Sequence, residues 1–326
     1  MEPLYIVGGE QKPDAVDKQE FQGFRRGLVL RLDVEKREGR IVFEYESPAE
    51  VLPDDDPSTL LKAATVEGDR IYLCTPTEII TCEFPSFKRI GYLSLPPFND
   101  VHHVRPTSEG NLLVTNTGLD MVHLVSPNGE TVREWDVLGE PPWSRFDRDT
   151  DYRKVPSTKP HKSHPNYTFT IGGELWVTRL HQRDALCLQT PGKRIDIGIE
   201  KPHDGIVCGN NVYFTTVDGH VARANTDSLC VEASYKVARQ LRKPAWCRGL
   251  HVIDNRLAVI GFSRLRRTPW QDNVRWATGG IKALKDLATS PTSIVLLDLA
   301  TGKVVWNIPV EKYGLSAIFS IHSGQD

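Results

Sequence analysis

Seven of the ten histidines in this 326-residue chain fall in, or just before, short β-prone runs: His102 and His103, His161 and His164, His203, His251, and His322. Neutral imidazole is a good ligand for borderline divalent ions, so a gathering of these rings would suit Zn²⁺, Fe²⁺ or Mn²⁺. Three histidines that leave a coordination position open would make a catalytic site rather than a structural one. His103, His164 and His203 are the ligands expected first, with His251 and His322 lying deeper. The same rings would also suit a metal-free pocket in which they act as general acids and bases. The plainest alternative is a set of histidines that hydrogen-bond backbone carbonyls and do nothing more.

Charged and phenolic residues accompany them. His203-Asp204-Gly205 parallels Cys247-Arg248-Gly249, which places Asp204 and Arg248 at equivalent positions. An acid there orients a histidine; an arginine there holds a carboxylate, sulfate or phosphate. Arg105, Lys159 and Lys162, with Arg264, Arg266 and Arg267, add cations near the same place, and Lys62 occupies the position matching His103 in another repeat. Such a concentration in a chain of net charge −2 points either to an anionic substrate or to a solvated loop. The run Asp151–Tyr167 contains Tyr152, Lys159, His161, His164 and Tyr167, and either phenol is a candidate proton donor. Asp147, Asp149 and Asp151 have the spacing of a calcium loop, but the glycine at its sixth position and the glutamate at its twelfth are missing.

The elements that must position these groups repeat. The clearest copy reads Asn111–Thr115, then Met121–Val125, the turn Pro127–Glu130, then Thr131–Trp135. Equivalents of Asn111–Thr115 are Pro3–Val7, Arg70–Cys74, Glu174–Thr178, Asn211–Thr215 and Arg256–Ile260. Short strands recurring at this spacing are the signature of propeller blades. The expectation is an all-β, six-bladed β-propeller forming one domain. Its blades are Leu60 to Leu95, Val101 to Val137, His164 to Ile197, His203 to Val237, and Cys247 to Ile308. The sixth is assembled from Ala317–His322 at one end of the chain and Leu4–Val7, Gly27–Val34 and Arg40–Glu46 at the other. That closure removes exposed sheet edges. His103 and His203 each lie nine residues before Leu112 and Val212, so they should match between blades two and four.

Three insertions break the repeat, at 10–26, 138–160 and 265–291. The last contains one helical stretch, Gly280–Ala288. Trp143, Trp270 and Trp276 lie in the second and third, as a lid or a contact surface would require.

The sequence also excludes several classes. With pI near 6.6 and no basic excess, nucleic acid and membrane surfaces are unsuitable partners. No 18-residue apolar run exists to span a bilayer. The first residues, Met1–Glu10, show neither a basic leader nor a long apolar core, so a cytoplasmic location is expected. The six cysteines include no CxxC pair and read as free core residues, with Cys247 placed nearest the expected site. There is no nucleophile elbow, phosphate-binding loop, dinucleotide fingerprint or HExxH zinc motif.

The pattern Asp100–His103, Glu109–Val114, Leu124-Val125 and Asn128-Gly129 resembles NHL-type and arylsulfotransferase-type propellers. It is also similar to the peptidyl-hydroxyglycine amidating lyases, in which histidines from alternate blades hold a channel metal. That resemblance implies a three-fold set of His103, His203 and His322. The arylsulfotransferase resemblance implies instead metal-free group transfer through a channel histidine, His103 or His203.

The functional expectation is a divalent-metal-dependent enzyme of lyase, hydrolase or oxygenase type acting on a polar or anionic small molecule. The alternative is a scaffold that binds a protein or peptide across its top face.

Overall fold

In a computed structural model, the described residues are 1–13, 15, 22–241, 246–264 and 291–324. The chain begins in the split blade, with β1 (Leu4–Gln11), β2 (Phe24–Asp33) and β3 (Glu38–Tyr45). Blade one follows as β4 (Ala63–Glu67), β5 (Arg70–Cys74), β6 (Ile79–Glu83) and β7 (Arg89–Leu93). Blade two is β8 (Val101–Pro106), β9 (Leu112–Asn116), β10 (Met121–Val125) and β11 (Thr131–Asp136). Blade three is β12 (Pro165–Ile171), β13 (Glu174–Arg179), β14 (Asp184–Cys187) and β15 (Arg194–Asp196). Blade four is β16 (Pro202–Cys208), β17 (Asn211–Thr216), β18 (His220–Asn225) and β19 (Val231–Lys236), after which comes a short helix, α1 (Val237–Leu241). Blade five is β20 (Trp246–Ile253), β21 (Leu257–Ser263), β22 (Ser293–Asp298) and β23 (Lys303–Pro309). The final strand, β24 (Ala317–Ser323), pairs antiparallel with β1 and completes the sixth sheet in the order β24-β1-β2-β3.

Six four-stranded antiparallel sheets are therefore present, as the repeat requires, and the two ends of the chain share one of them. Each inner strand (β4, β8, β12, β16, β20, β24) touches the next, and β24 returns to β4, so the ring is closed. Burial falls from the inside outward. The second strand β9 is buried along its whole length, whereas the outermost β19 and β23 alternate between covered and exposed positions. That is the pattern of sheets stacked face to face around an axis, with only the outer rim in water.

The apolar core is divided into clusters that lie between neighbouring blades. Leu4, Leu30, Ile294 and Ile318 join the split blade to blade five. Tyr5, Val29, Leu73 and Ile80 join it to blade one. Phe169, Trp176, Phe214 and Ala222 join blades three and four. Removing one blade would expose two such clusters, so the ring is stable only when complete.

The insertions differ from expectation at their ends. Strand β1 runs on to Gln11 and β2 starts at Phe24, which takes residues from both ends of the 10–26 insertion into the sheet. The 138–160 segment folds back on blade two, where Tyr152 packs with Leu119 and Met121 beneath Trp143, Phe146 and Val155. Residues 265–290 lie outside the described residues, and with them the helical stretch expected at 280–288, Arg266, Arg267, Trp270 and Trp276. The cysteines are all unpaired; Cys74, Cys82, Cys187 and Cys247 are buried, Cys208 is half-buried and Cys230 is exposed.

Candidate functional site

The site is built where the inner strands begin, at what is called here the upper mouth of the central channel. A bulge decides which side chains reach it. In β8 the pairing jumps from Val101↔Asn116 to His103↔Thr115, leaving His102 as the extra residue. In β12 it jumps from Pro165↔Arg179 to Tyr167↔Thr178, leaving Asn166. In β16 the jump comes after His203↔Thr215, so Asp204 and Gly205 are the bulged pair. His103, Tyr167 and His203 thus share one register, but the bulge falls before the first two and after the third. An extra residue re-aims the side chains beside it.

The consequence is that His103 and His203, which match by position, do not share a place. His203 lies 6.1 Å from His102, ring centre to ring centre, and His102 lies 4.9 Å from His164. His161 adds a fourth ring, 5.0 Å from His164, and their Nδ1 atoms are 2.8 Å apart. The Asp100 carboxylate completes the cluster. One donor atom each from Asp100, His161 and His164 lies within 4.8 Å of the others. Lys62, almost fully buried, pairs with Asp100 at 3.0 Å, and Lys159 and His161 line the adjoining cleft of about 40 Å³.

His103 is placed elsewhere. Its two ring nitrogens are engaged by the hydroxyls of Thr65 and Thr168, each at 3.0 Å, and its ring stacks on Tyr167. An ion could reach His103 only by breaking one of these bonds to a buried threonine hydroxyl. His251 and His322 are separated from the cluster too. They lie where the inner strands end, at the lower mouth, in a cavity with Arg105, Tyr167 and Ser320. The three-fold set of His103, His203 and His322 is therefore not brought together, and Arg105 lies at the opposite mouth from Lys159.

The remaining candidates divide in the same way. Arg248 is buried in the channel wall, its guanidinium 5.1 Å from the Trp246 ring and 5.3 Å from Phe319, on which Lys62 also sits at 5.5 Å. Asp204 is buried between blades four and five, its carboxylate accepting from the Thr215 hydroxyl and the Gly249 N–H. Its other oxygen is 3.6 Å from His203 Nδ1, too long for a hydrogen bond. Tyr152 packs with Leu119 and Met121 under the 138–160 segment, its hydroxyl accepting from the Asp147 N–H at 2.9 Å. Arg264, just after the end of β21 that pairs with the start of β20, is ion-paired with Glu311 at 2.6 Å.

Electrostatics follow from burial. Loss of water lowers the proton affinity of His102, His164 and His203; the Lys62 cation adds to the effect at His102, and at His203 the Asp204 carboxylate opposes it only in part, so all three rings are neutral at pH 7. For Asp100 burial works against ionisation, yet the Lys62 cation, with Lys159 behind it, holds the carboxyl well below its ordinary range. Neutral imidazoles beside an ionised carboxylate form a donor set ready for a divalent cation. Both nitrogens of His203 and Nε2 of His164 are buried with no hydrogen-bond partner among the described residues. Buried polar atoms are normally satisfied by protein, water or an ion.

Residues missed by sequence reasoning supply the frame. Asp120, fully buried, accepts from three consecutive backbone N–H groups, those of Lys162 (2.8 Å), Ser163 (3.1 Å) and His164 (2.7 Å). Arg145 ties Asp120 to Asp136, at 3.0 Å from each. This network fixes the turn that carries His161 and His164, the latter at φ +58°, a conformation a histidine seldom adopts unaided. Asp100 and His102 were legible as residue types in Asp100–His103; the bulge that selects His102 over His103 was not.

No family model and no curated protein sequence matches this chain. Solved structures do resemble it. A protein of unknown function from Bacteroides caccae aligns at 12% identity over 98% of both chains, with a TM-score of 0.59. A chain of a nidogen/laminin complex aligns at 9% identity over 98% of this chain and 97% of that one, with a TM-score of 0.56. Virginiamycin B lyase from Staphylococcus aureus aligns at 12% identity over 99% and 94%, with a TM-score of 0.49. At identities of 9–12% these likenesses extend to the fold alone.

Proposed function

We propose that the chain is a propeller enzyme that holds one divalent ion at its upper mouth and acts on a small anionic molecule. The observation that carries this reading is the convergence of Asp100, His161 and His164, whose donor atoms lie within 4.8 Å of one another beside two further neutral imidazoles. Ligands about 2.0–2.1 Å from a tetrahedral ion stand roughly 3.4 Å apart, so the His161 and His164 nitrogens would separate by about half an ångström to admit one. Two histidines and a carboxylate leave positions open for water or substrate, and Zn²⁺, Fe²⁺ and Mn²⁺ all accept this set.

Asp100, His161 and His164 would hold the ion, and its Lewis acidity toward a substrate oxygen or water would suit lyase or hydrolase chemistry. His203, with neither nitrogen engaged, is the group free to take or give a proton. Lys159 at the cleft and Lys62 and Arg248 around Phe319 supply positive charge for an anionic substrate. The scaffold reading draws no comparable support, because Trp143 in the 138–160 segment is tied down by Glu134 at 2.9 Å and by Arg148 over its ring.

The test is calorimetric titration of chelator-treated protein with Zn²⁺ and Mn²⁺. One saturable site is expected, lost in both His161→Ala and His164→Ala while the thermal transition of each variant remains cooperative. Absence of saturable binding of either ion at micromolar protein removes the proposal.

A further inference from the structure

The lower mouth of the channel has a chemistry of its own. Residues from all six inner strands line a cavity of about 160 Å³, among them Arg105, Tyr167, His251, Ser320 and His322. Space of that size accommodates about ten water-sized positions. It fits a phosphate or a small carboxylic acid, and is too small for a nucleotide.

Arg105 is the unusual member. Arg26, Arg145, Arg153 and Arg179 pair with carboxylates and Arg133, which has no such pair, is exposed, whereas Arg105 is half-buried with no carboxylate within 4.0 Å among the described residues. Its Nε donates to the Thr168 carbonyl at 3.2 Å, and the Tyr167 side chain lies against it, which fixes the guanidinium in the channel wall. A half-buried guanidinium without a counter-charge is costly, and its planar fork matches the oxygens of a carboxylate or phosphate.

The surroundings complement it. His322 shares a hydrogen bond between Nε2 and the Ser320 hydroxyl at 3.2 Å, and His251 stands on the adjacent strand. With the Tyr167 hydroxyl these groups offer several donors around one guanidinium. Asp204 is the acidic residue of the cavity wall, but Thr215 and Gly249 already occupy its Oδ2 and the rest of the carboxylate is turned to His203. Glu2, whose charge reaches His251, is exposed.

We infer that the lower mouth is a second binding site, distinct from the histidine–aspartate cluster, which takes a small oxyanion through Arg105. It stands independently of any ion at the upper mouth. Whether the anion is an inorganic phosphate or the carboxylate of an organic acid is a matter of source, since one fork recognises both.

The experiment is titration of the full chain with inorganic phosphate and, separately, with succinate, followed by calorimetry and by the side-chain NMR signals of arginine and histidine. Saturable binding of at least one is expected, weakened about tenfold or more in Arg105→Gln and several-fold in His322→Gln, and unchanged in Asp100→Asn. Competition between the two anions identifies a shared site, and the tighter one identifies the source. Three results overturn the inference: no saturation by either anion up to tens of millimolar, affinity indifferent to both Arg105→Gln and His322→Gln, or equal loss in Asp100→Asn. If Arg105→Gln fails to fold, His322→Gln decides alone.

Discussion

The rings of His103 and Tyr167 stack with their centres 3.7 Å apart, from matching positions on neighbouring inner strands. Each pairs with a threonine of its own second strand, and His103 closes the arrangement through Thr65 on one side and Thr168 on the other. His103 is thus a cross-blade tie linking blades one, two and three, while the adjacent His102 faces the cluster.

This division predicts opposite phenotypes for adjacent residues. His103→Ala leaves the Thr65 and Thr168 hydroxyls short of a partner and removes a buried ring, which should cost about 2–4 kcal/mol in urea unfolding. Its affinity for Zn²⁺ or Mn²⁺ should stay within a few-fold of the parent. His164→Ala should show the reverse, with more than about 100-fold weaker metal binding. A His103→Ala protein that folds normally but loses the ion would refute the assignment.

Asp120 is expected to act on the ion without touching it. Asp120→Asn removes the charge that draws in the three N–H groups of Lys162, Ser163 and His164, so the turn carrying two ligands loosens. Loss of such an outer partner typically weakens metal binding about 10–100-fold. Asp136→Asn is the control, since Asp136 shares Arg145 but bonds none of those three amides. Equal effects of the two variants would show that only the Arg145 pairing matters.

Ring closure makes a sharp demand at Gly8. A Cβ there would fall 1.9 Å from the carbonyl oxygen of Ala317, on the strand that completes the split blade. Gly8→Ala should therefore force β24 away from β1 and cost more than about 3 kcal/mol. Protease cleavage near the chain's C-terminal strand should accelerate in parallel. A variant of parental stability would mean that the two ends of the chain are not held together as described.

Stability should fall in mild acid. Burial pushes His103 well below its ordinary proton affinity and pushes His322 down to about 3, with nearby cationic groups acting in the same direction. Between that range and about pH 6.5 the unfolded chain binds protons at these positions and the folded chain does not, so stability rises with pH and levels off above about 7. Each such histidine should contribute about 1 kcal/mol per pH unit below 6.5. The urea midpoint at pH 5.5 should lie well below that at pH 7.5, and His322→Gln should flatten the difference. A midpoint insensitive to pH over this interval would contradict the buried, neutral state of these rings.

The sequence by itself determined the ring. Alternation, turn chemistry and the recurrence of Asn111–Thr115 are local properties, and they specified six sheets, their boundaries to within a few residues, and the joining of Ala317–His322 to Leu4–Val7. They also singled out the residue types, because seven histidines before or within inner strands must lie near one axis. What only the tertiary structure decided is which of those rings meet. A one-residue bulge before His103 and a later one after His203 leave the positional count intact but re-aim the side chains, so His102 joins His164 and His203 while His103 turns to Tyr167. Position along an inner strand likewise sends His251, His322 and Arg105 to the far mouth. Register and bulging depend on hydrogen bonds between strands distant in the chain, and no local pattern of residues encodes them.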